Sequence, residues 1–307
     1  MIVTVCLNPA IDVTYRVPEL SVGRSHRVRE VYARAGGKGI NVARVLHQLA
    51  EPVTIAGLCG GTTGAEIAAD LQRSGLRAVL TPISGQSRRT VTVVDAREAT
   101  VLNEPGPQVS AAEWAAFGTA FSELVQAVRV VVMSGSAPPG CPDTAYAELV
   151  ATARANGAAV VLDAEGEQLR HALGARPDVA KPNAVEVAHV FGRPVTTRRD
   201  ALDAAQLLCD RGASTGIVSL GAEGFVAVTP SAAYDVRLPR QIPGNQTGAG
   251  DALAAALARG LARDDPWPEL LADAAAVSAA AVAFPVAGGV ATEIMAELRP
   301  GVVIEEV

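Results

Sequence analysis

Short apolar runs alternate with Ala-rich stretches whose apolar residues recur at helical spacing. The runs at 2–7, 53–57, 129–133, 159–163 and 215–219 predict strands. Some are apolar at every position, as in Val130-Val131-Val132-Met133, which suits strands covered on both faces of a sheet. The intervening pattern predicts helices over 39–50, 64–74, 111–127, 143–156, 199–211, 248–262 and 267–283. Strands and helices in this alternation imply an α/β fold with a doubly wound, mostly parallel sheet. No internal repeat, low-complexity tract or linker interrupts the order, so residues 1–307 read as a single domain.

Two stretches break the rhythm. Residues 12–34 carry Val13, Tyr15, Val17, Val28 and Val31 with few helix signals. Residues 89–102 read as two short strands, Thr90–Val94 and Ala99–Leu102, around a charged turn at Asp95–Glu98. Together they predict a small extra sheet projecting from the main one. In an enzyme such an appendage would be a lid that excludes water.

Composition narrows the field. Hydrophobic residues make up 49% of the 307, but aromatics only 4%, so Ala, Val and Leu must build the core. A net charge of −6 argues against a nucleic-acid partner, which would need a basic footprint. Cys6, Cys59, Cys141 and Cys209 form no C-x-x-C pair and have no His at metal-ligand spacing, as expected of idle thiols in a reducing compartment. The opening Met1-Ile2-Val3-Thr4-Val5 lacks a basic n-region and reads as a strand, and no apolar run reaches transmembrane length. A cytoplasmic location with no membrane partner is the expectation.

Two glycine-rich turns carry the candidate chemistry. The first is Gly244-Asn245-Gln246-Thr247-Gly248-Ala249-Gly250-Asp251, which runs into the helix former Ala252-Leu253-Ala254-Ala255-Ala256-Leu257. Thr247 can cap that helix, and Gly248, Ala249 and Gly250 would expose backbone N–H groups at its start, an anion site favoured by the helix dipole. Asp251 then places a carboxylate beside the anion. For phosphoryl transfer that pairing has a purpose: the N–H groups hold the charge on the moving group, and the carboxylate takes the proton of the attacking hydroxyl. The second turn is Ala35-Gly36-Gly37-Lys38-Gly39-Ile40-Asn41. Its glycines let backbone approach a ligand, and Lys38 can meet a phosphate as a point charge. It has the spacing of neither a Walker P-loop nor G-x-G-x-x-G.

Gly36-Gly37-Lys38-Gly39-Ile40-Asn41-Val42-Ala43-Arg44 and Thr247-Gly248-Ala249-Gly250-Asp251 resemble the two signatures of the PfkB (ribokinase-like) carbohydrate kinases. Further segments are similar to the 1-phosphofructokinase and tagatose-6-phosphate kinase branch. They are Leu7-Asn8-Pro9-Ala10-Ile11-Asp12, Asn103-Glu104-Pro105-Gly106-Pro107, Ser134-Gly135-Ser136-Ala137-Pro138-Pro139-Gly140, Lys181-Pro182-Asn183-Ala184-Val185-Glu186 and Ser219-Leu220-Gly221-Ala222-Glu223-Gly224. The resemblance implies a three-layer α/β/α fold with a small β lid, ATP as phosphoryl donor with Mg2+, and a homodimer formed through the lid. It implies Asp251 as catalytic base, with Gly248, Ala249 and Gly250 as the anion hole. Asp12, Gly37, Lys38, Asn41, Arg88 and Ser136 would bind the sugar phosphate. Lys181, Asn183, Glu186, Ser219, Gly221 and Glu223 would face ATP, together with Gly248 and Gly250. Asn183 and Glu186 would reach the magnesium through water.

The chain departs from the branch at His26, Thr90, Glu165 and Gln246, the first two in the expected lid. Those two bear on the sugar rather than on the kinase chemistry. His47, His171 and His189 fall in no motif. The cation at Lys38 favours an already phosphorylated acceptor, with fructose 1-phosphate first and tagatose 6-phosphate or fructose 6-phosphate as alternatives. A non-catalytic sugar-phosphate binder would be expected to have lost the base or the glycine hole, and both are present.

Overall fold

A computed structural model of the chain describes residues 1–97 and 99–307; Glu98, at the end of the expected lid turn, lies outside the described residues. The chain runs β1 (Ile2–Cys6), β2 (Ala10–Arg16), β3 (Glu30–Gly36), α1 (Lys38–Gln48), β4 (Val53–Gly60), α2 (Gly61–Arg73), β5 (Arg77–Ile83), β6 (Arg88–Val94), β7 (Ala99–Asn103) and α3 (Ala111–Leu124). It continues through β8 (Val130–Ser134), α4 (Ala145–Ala155), β9 (Ala159–Asp163), α5 (Gly166–Gly174), β10 (Val179–Ala180), α6 (Ala184–Phe191), α7 (Arg198–Asp210) and β11 (Thr215–Ser219). The last elements are β12 (Phe225–Val228), β13 (Ala233–Arg237), α8 (Ala249–Arg263), α9 (Trp267–Val282), α10 (Thr292–Leu298) and β14 (Val303–Glu306).

Among the described residues, ten strands form one sheet in the order β14-β13-β12-β11-β10-β9-β8-β1-β4-β5. From β11 to β5 all pairings are parallel, and β12, β13 and β14 add an antiparallel end. All five expected strands are present. Alternate side chains of each enter opposite cores. Val130 and Val132 pack with α1, α8 and α9, whereas Val131 and Met133 pack with α3, α4 and α5. This two-sided burial is why those strands read as unbroken apolar runs. The scarcity of aromatics is met by close helix packing: Ala252, Ala254, Ala255, Ala256 and Ala258 of α8 and Ala274, Ala276 and Ala280 of α9 are fully buried. Among the described residues no helix is long and apolar enough to cross a membrane.

The elements missed by the pattern have physical reasons. Strand β10 is only two residues long, and α10 has seven residues. Strand β5 lies at the sheet edge, half exposed, and contains Pro82. Helix α5 starts and ends on glycine.

The two irregular stretches form the expected second sheet, four strands in the order β3-β2-β6-β7. Its register aligns side chains in rows across the strands. Arg34, Asp12, Thr90 and Asn103 make one row; Tyr32, Thr14, Thr92 and Val101 make the next. Both rows face the main sheet across a cleft. The opposite face carries Ile11 and Val13, which are buried against the main body, with α2 packed on β2 and β3.

Candidate active site

Strand β1 pairs with β4 on one side and β8 on the other, and the chain winds outward in both directions from that point. A crevice opens at the carboxyl ends of strands where the winding reverses. The residues that follow those ends line it: Asn8 after β1, Ser136 after β8, Asp163 at the end of β9, Lys181 after β10 and Ser219 at the end of β11. The cleft measures about 1910 Å³ and is roofed by the small sheet.

Asp12 projects from β2 toward this space. A Cβ on Gly36 would stand 1.9 Å from Asp12 Oδ2, so only glycine there lets the carboxylate lie flat against β3. Burial raises the Asp12 pKa, opposed by the nearby guanidinium groups of Arg88 and Arg34. Arg88 ties the roof down: its Nε donates to the Asn8 carbonyl at 3.1 Å, and its Nη1 donates to Thr90 Oγ1 at 3.2 Å and the Glu104 carbonyl at 3.3 Å. Asn8 Nδ2 donates to the Pro105 carbonyl at 3.0 Å and to Ser136 Oγ at 3.3 Å.

Helices α1 and α8 pack against each other, and their contact brings Asn41 to Asp251 at one end of the cleft. Helix α8 opens at Gly248 in the left-handed conformation, φ 89°, with no side-chain cap. The cap expected from Thr247 is therefore not formed. The turn is instead held by the Thr247 N–H, which donates to Asn245 Oδ1 at 3.0 Å. The Ala249 N–H donates to the Gln246 carbonyl at 3.2 Å, while the N–H groups of Gly248, Gly250 and Asp251 meet no acceptor among the described residues. Those free donors point where an anion would sit. Asp251, in the first turn, is 5% exposed. Burial, reinforced by the charge of Asp163, pushes its pKa up to about 6; Asn41, Lys38 and Lys181 pull the other way. Asn41 Nδ2 on α1 donates to Asp251 Oδ2 at 2.9 Å, and Asn41 Oδ1 is buried without a partner among the described residues.

Asp163 anchors the positive charge. Lys181 Nζ stands 3.0 Å from its Oδ1, and Ser134 Oγ donates to its Oδ2 at 2.9 Å. Burial opposes the charge on Asp163, but Lys181 and Lys38 outweigh it and hold the carboxyl below its usual range. The Lys181 ammonium lies over the start of α8, 3.6 Å from where a Gly250 Cβ would be. Lys38 Nζ is 3.4 Å from Glu186 Oε1, and the charges of Asp163, then Glu186 and Asp251, raise its pKa. Lys38 thus faces the carboxylates at the centre of the cleft. Asn183 and Glu186 form a reciprocal cap on α6: Asn183 Oδ1 accepts from the Val185 and Glu186 N–H groups, and the Asn183 N–H donates to Glu186 Oε2, each at 2.9 Å.

A basic lid face, a buried carboxylate at a helix start and two cations beside it form one continuous cleft. The chain matches the pfkB family carbohydrate kinases over residues 3–289. The chain belongs to that family. Solved structures agree with it in fold. A putative phosphofructokinase from Staphylococcus aureus is 28% identical, with 100% of this chain and 99% of that one covered and a TM-score of 0.83. A possible 1-phosphofructokinase from Thermotoga maritima is 25% identical over 100% and 99%, with a TM-score of 0.91. Phosphofructokinase-2 from Escherichia coli, in complex with potassium, is 25% identical over 98% of both chains, with a TM-score of 0.91. The protein is therefore a PfkB-family sugar kinase with the ribokinase-like fold, and kinases of this family use ATP.

The kinase fold gathers nearly all of the expected residues. Asp12, Gly37, Lys38, Asn41, Arg88, Ser136, Lys181, Asn183, Glu186, Ser219, Gly221, Gly248, Ala249, Gly250 and Asp251 all line the cleft. Glu223 does not: it sits in a 3-10 turn, largely exposed, 4.0 Å from Arg198. Of the four departures, Thr90, Glu165 and Gln246 line the cleft, whereas His26 stays in its own loop against Ser21. Arg34, Asp163 and Asn103 also line the cleft but had no assigned role. The signal for Asp163 was its place at the end of a parallel strand. Arg34 carries no such signal, because only the β2–β3 register sets it beside Asp12.

Proposed function

We propose that this kinase transfers the γ-phosphoryl group of ATP to a primary hydroxyl of a phosphorylated ketohexose, with fructose 1-phosphate as the leading acceptor. The observation that carries the reading is Asp251, a buried carboxylate with its pKa pushed up to about 6, at an anion-binding helix start. Asn41 holds Oδ2, which leaves Oδ1 to take the proton of the acceptor hydroxyl. The free N–H groups of Gly248, Gly250 and Asp251, with Lys181 and Lys38, offset the negative charge of the phosphoryl group as it crosses. Asp12 and Asn103, in one row of the roof, accept and donate to sugar hydroxyls. Ser219 and Gly221 border the nucleotide. The roof acts as a lid that excludes water from the transfer.

Among the described residues no group of three or more His, Cys, Asp or Glu side chains is arranged to hold a metal ion. Mg2+ needs no such cage, because it keeps several waters and takes oxygens from substrate phosphates. Glu186 fits it best: Oε1 faces the cleft, whereas Asn183 Oδ1 already accepts two N–H bonds. Magnesium bound there through water would neutralise phosphate charge.

Tagatose 6-phosphate and fructose 6-phosphate are the alternative acceptors; phosphofructokinase-2 from Escherichia coli has been solved with fructose-6-phosphate. We further infer a homodimer formed through the lid; the same neighbour has a tetrameric inhibited form. A coupled ADP-release assay over the three sugar phosphates tests the reading. Asp251→Asn keeps shape and removes the base, so kcat is expected to fall by about 10²–10⁴ with acceptor KM little changed. A variant retaining a third or so of wild-type kcat removes Asp251 from the role of base.

A further inference from the structure

Five cationic side chains line the cleft, and four of them are engaged. Arg16 faces Glu30 at 3.9 Å, Lys38 faces Glu186 at 3.4 Å, Lys181 pairs with Asp163 at 3.0 Å, and Arg88 donates to the Asn8 and Glu104 carbonyls. Arg34 is the exception: none of the described residues hydrogen-bonds or ion-pairs with its side chain. It stands directly across from Asp12 in the antiparallel β2–β3 register, so the two side chains share the cleft face about 5 Å apart at the backbone. Its neighbour Arg44 is fully occupied, donating to Asp70 at 2.6 Å and to the Ala35 carbonyl at 3.2 Å.

We propose that Arg34 is the clamp for the anionic group that the acceptor already carries, and so a determinant of acceptor choice. The proposal rests on the reading of the acceptor as a sugar phosphate. Lys38, the cation first expected in that role, is directed at Glu186 and the centre of the cleft, where the transferred group crosses. The far end of the acceptor needs its own counter-charge, and the lid row that carries Asp12 offers one in Arg34. Burial, then the like charge of Arg44, lower the Arg34 pKa against the pull of Asp12 and Asp70, and a dianion beside it would offset both. A planar guanidinium also suits two phosphate oxygens at once. Position 34 lies two residues before Gly36, on the same face of β3, and the lack of a Cβ at Gly36 seats Asp12, so the anion clamp and the hydroxyl reader are fixed by one short strand.

Wild type, Arg34→Gln and Arg34→Lys are compared on fructose 1-phosphate, tagatose 6-phosphate, fructose 6-phosphate and free fructose. For Arg34→Gln the KM of the preferred sugar phosphate is expected to rise about 10- to 100-fold, the scale of a lost charge-assisted bond. The KM for ATP stays in place, kcat is retained, and the preference for the phosphorylated over the free sugar shrinks by the same factor. Arg34→Lys recovers part of the loss. Binding of fructose 1,6-bisphosphate, measured by calorimetry without turnover, weakens in parallel. An unchanged preference in Arg34→Gln overturns the clamp and leaves the kinase reading standing. A wild type that turns over free fructose as well as every sugar phosphate overturns the acceptor reading and the clamp together.

Discussion

The Asn41 amide is divided between the proposed base and the cleft: its Nδ2 donates to Asp251, and its Oδ1 has no partner among the described residues. The donated bond favours the ionised base and pulls the Asp251 pKa down, against burial and Asp163. Only the deprotonated form accepts a proton, so kcat/KM should fall tenfold per pH unit below about 6. Asn41→Ala removes the donor, raises the pKa further, and moves that acidic limb to higher pH. Its deficit should therefore be larger at pH 6 than at pH 8. A loss equal at every pH would mean that Asn41 acts only through packing. Asp251 itself was legible in the sequence, because its glycines, its helix and its position are contiguous. Arg34 was not, since Asp12 beside it lies on another strand; the signal for Asp163 was only its place at the end of β9. Glu223 misled because a 3-10 turn rotates it outward.

The four-stranded roof was legible as a break in rhythm but not in its register. Strand β2 pairs in parallel with β6 and antiparallel with β3, an arrangement that no local pattern dictates. Val91 and Val93 are both half-buried, and Val91 packs against the chain's own core. The roof keeps Tyr32, Val101 and Leu102 exposed. Ile11, Val13 and α2 hold its back to the body, while over the cleft Arg88 ties it to the Asn8 and Glu104 carbonyls. It should close further on its ligands. Hydrogen exchange at 12–34 and 89–102 is expected to slow when sugar phosphate and a non-hydrolysable ATP analogue bind together. Exchange indifferent to both ligands would mean a fixed roof.

The three-layer body follows from the alternation of strand and helix, and the parallel strands were readable because both their faces are covered. The antiparallel end, β12 to β14, was hidden: those strands are only four or five residues long, and β14 is largely exposed. The proposed dimer would form at the roof. Tyr32 and Val101 stay exposed on its edge strands β3 and β7, and unpaired edges invite pairing with a second copy. Light scattering should report a dimer, and Val101→Glu should shift it toward monomer. A wild-type monomer at micromolar concentration would dispose of that interface.

The order of the sheet has a consequence for biosynthesis. Strand β1 leads the chain yet sits centrally, with β4 and β8 beside it and the apolar face of Ile2 and Val130 shielded by α8. Translation at about 5–20 residues per second separates Cys6 from Ala249 by roughly 10–50 s. During that interval α1 alone shields that face of the nascent sheet, part of the flank stays bare, and the cleft lacks Asp251. The segment that seals the flank is the one that delivers Asp251, so a ribosome that stalls before it releases a sticky, inert polypeptide. Covering the part of that flank which α1 leaves bare and delivering the Asp251 carboxylate are one event.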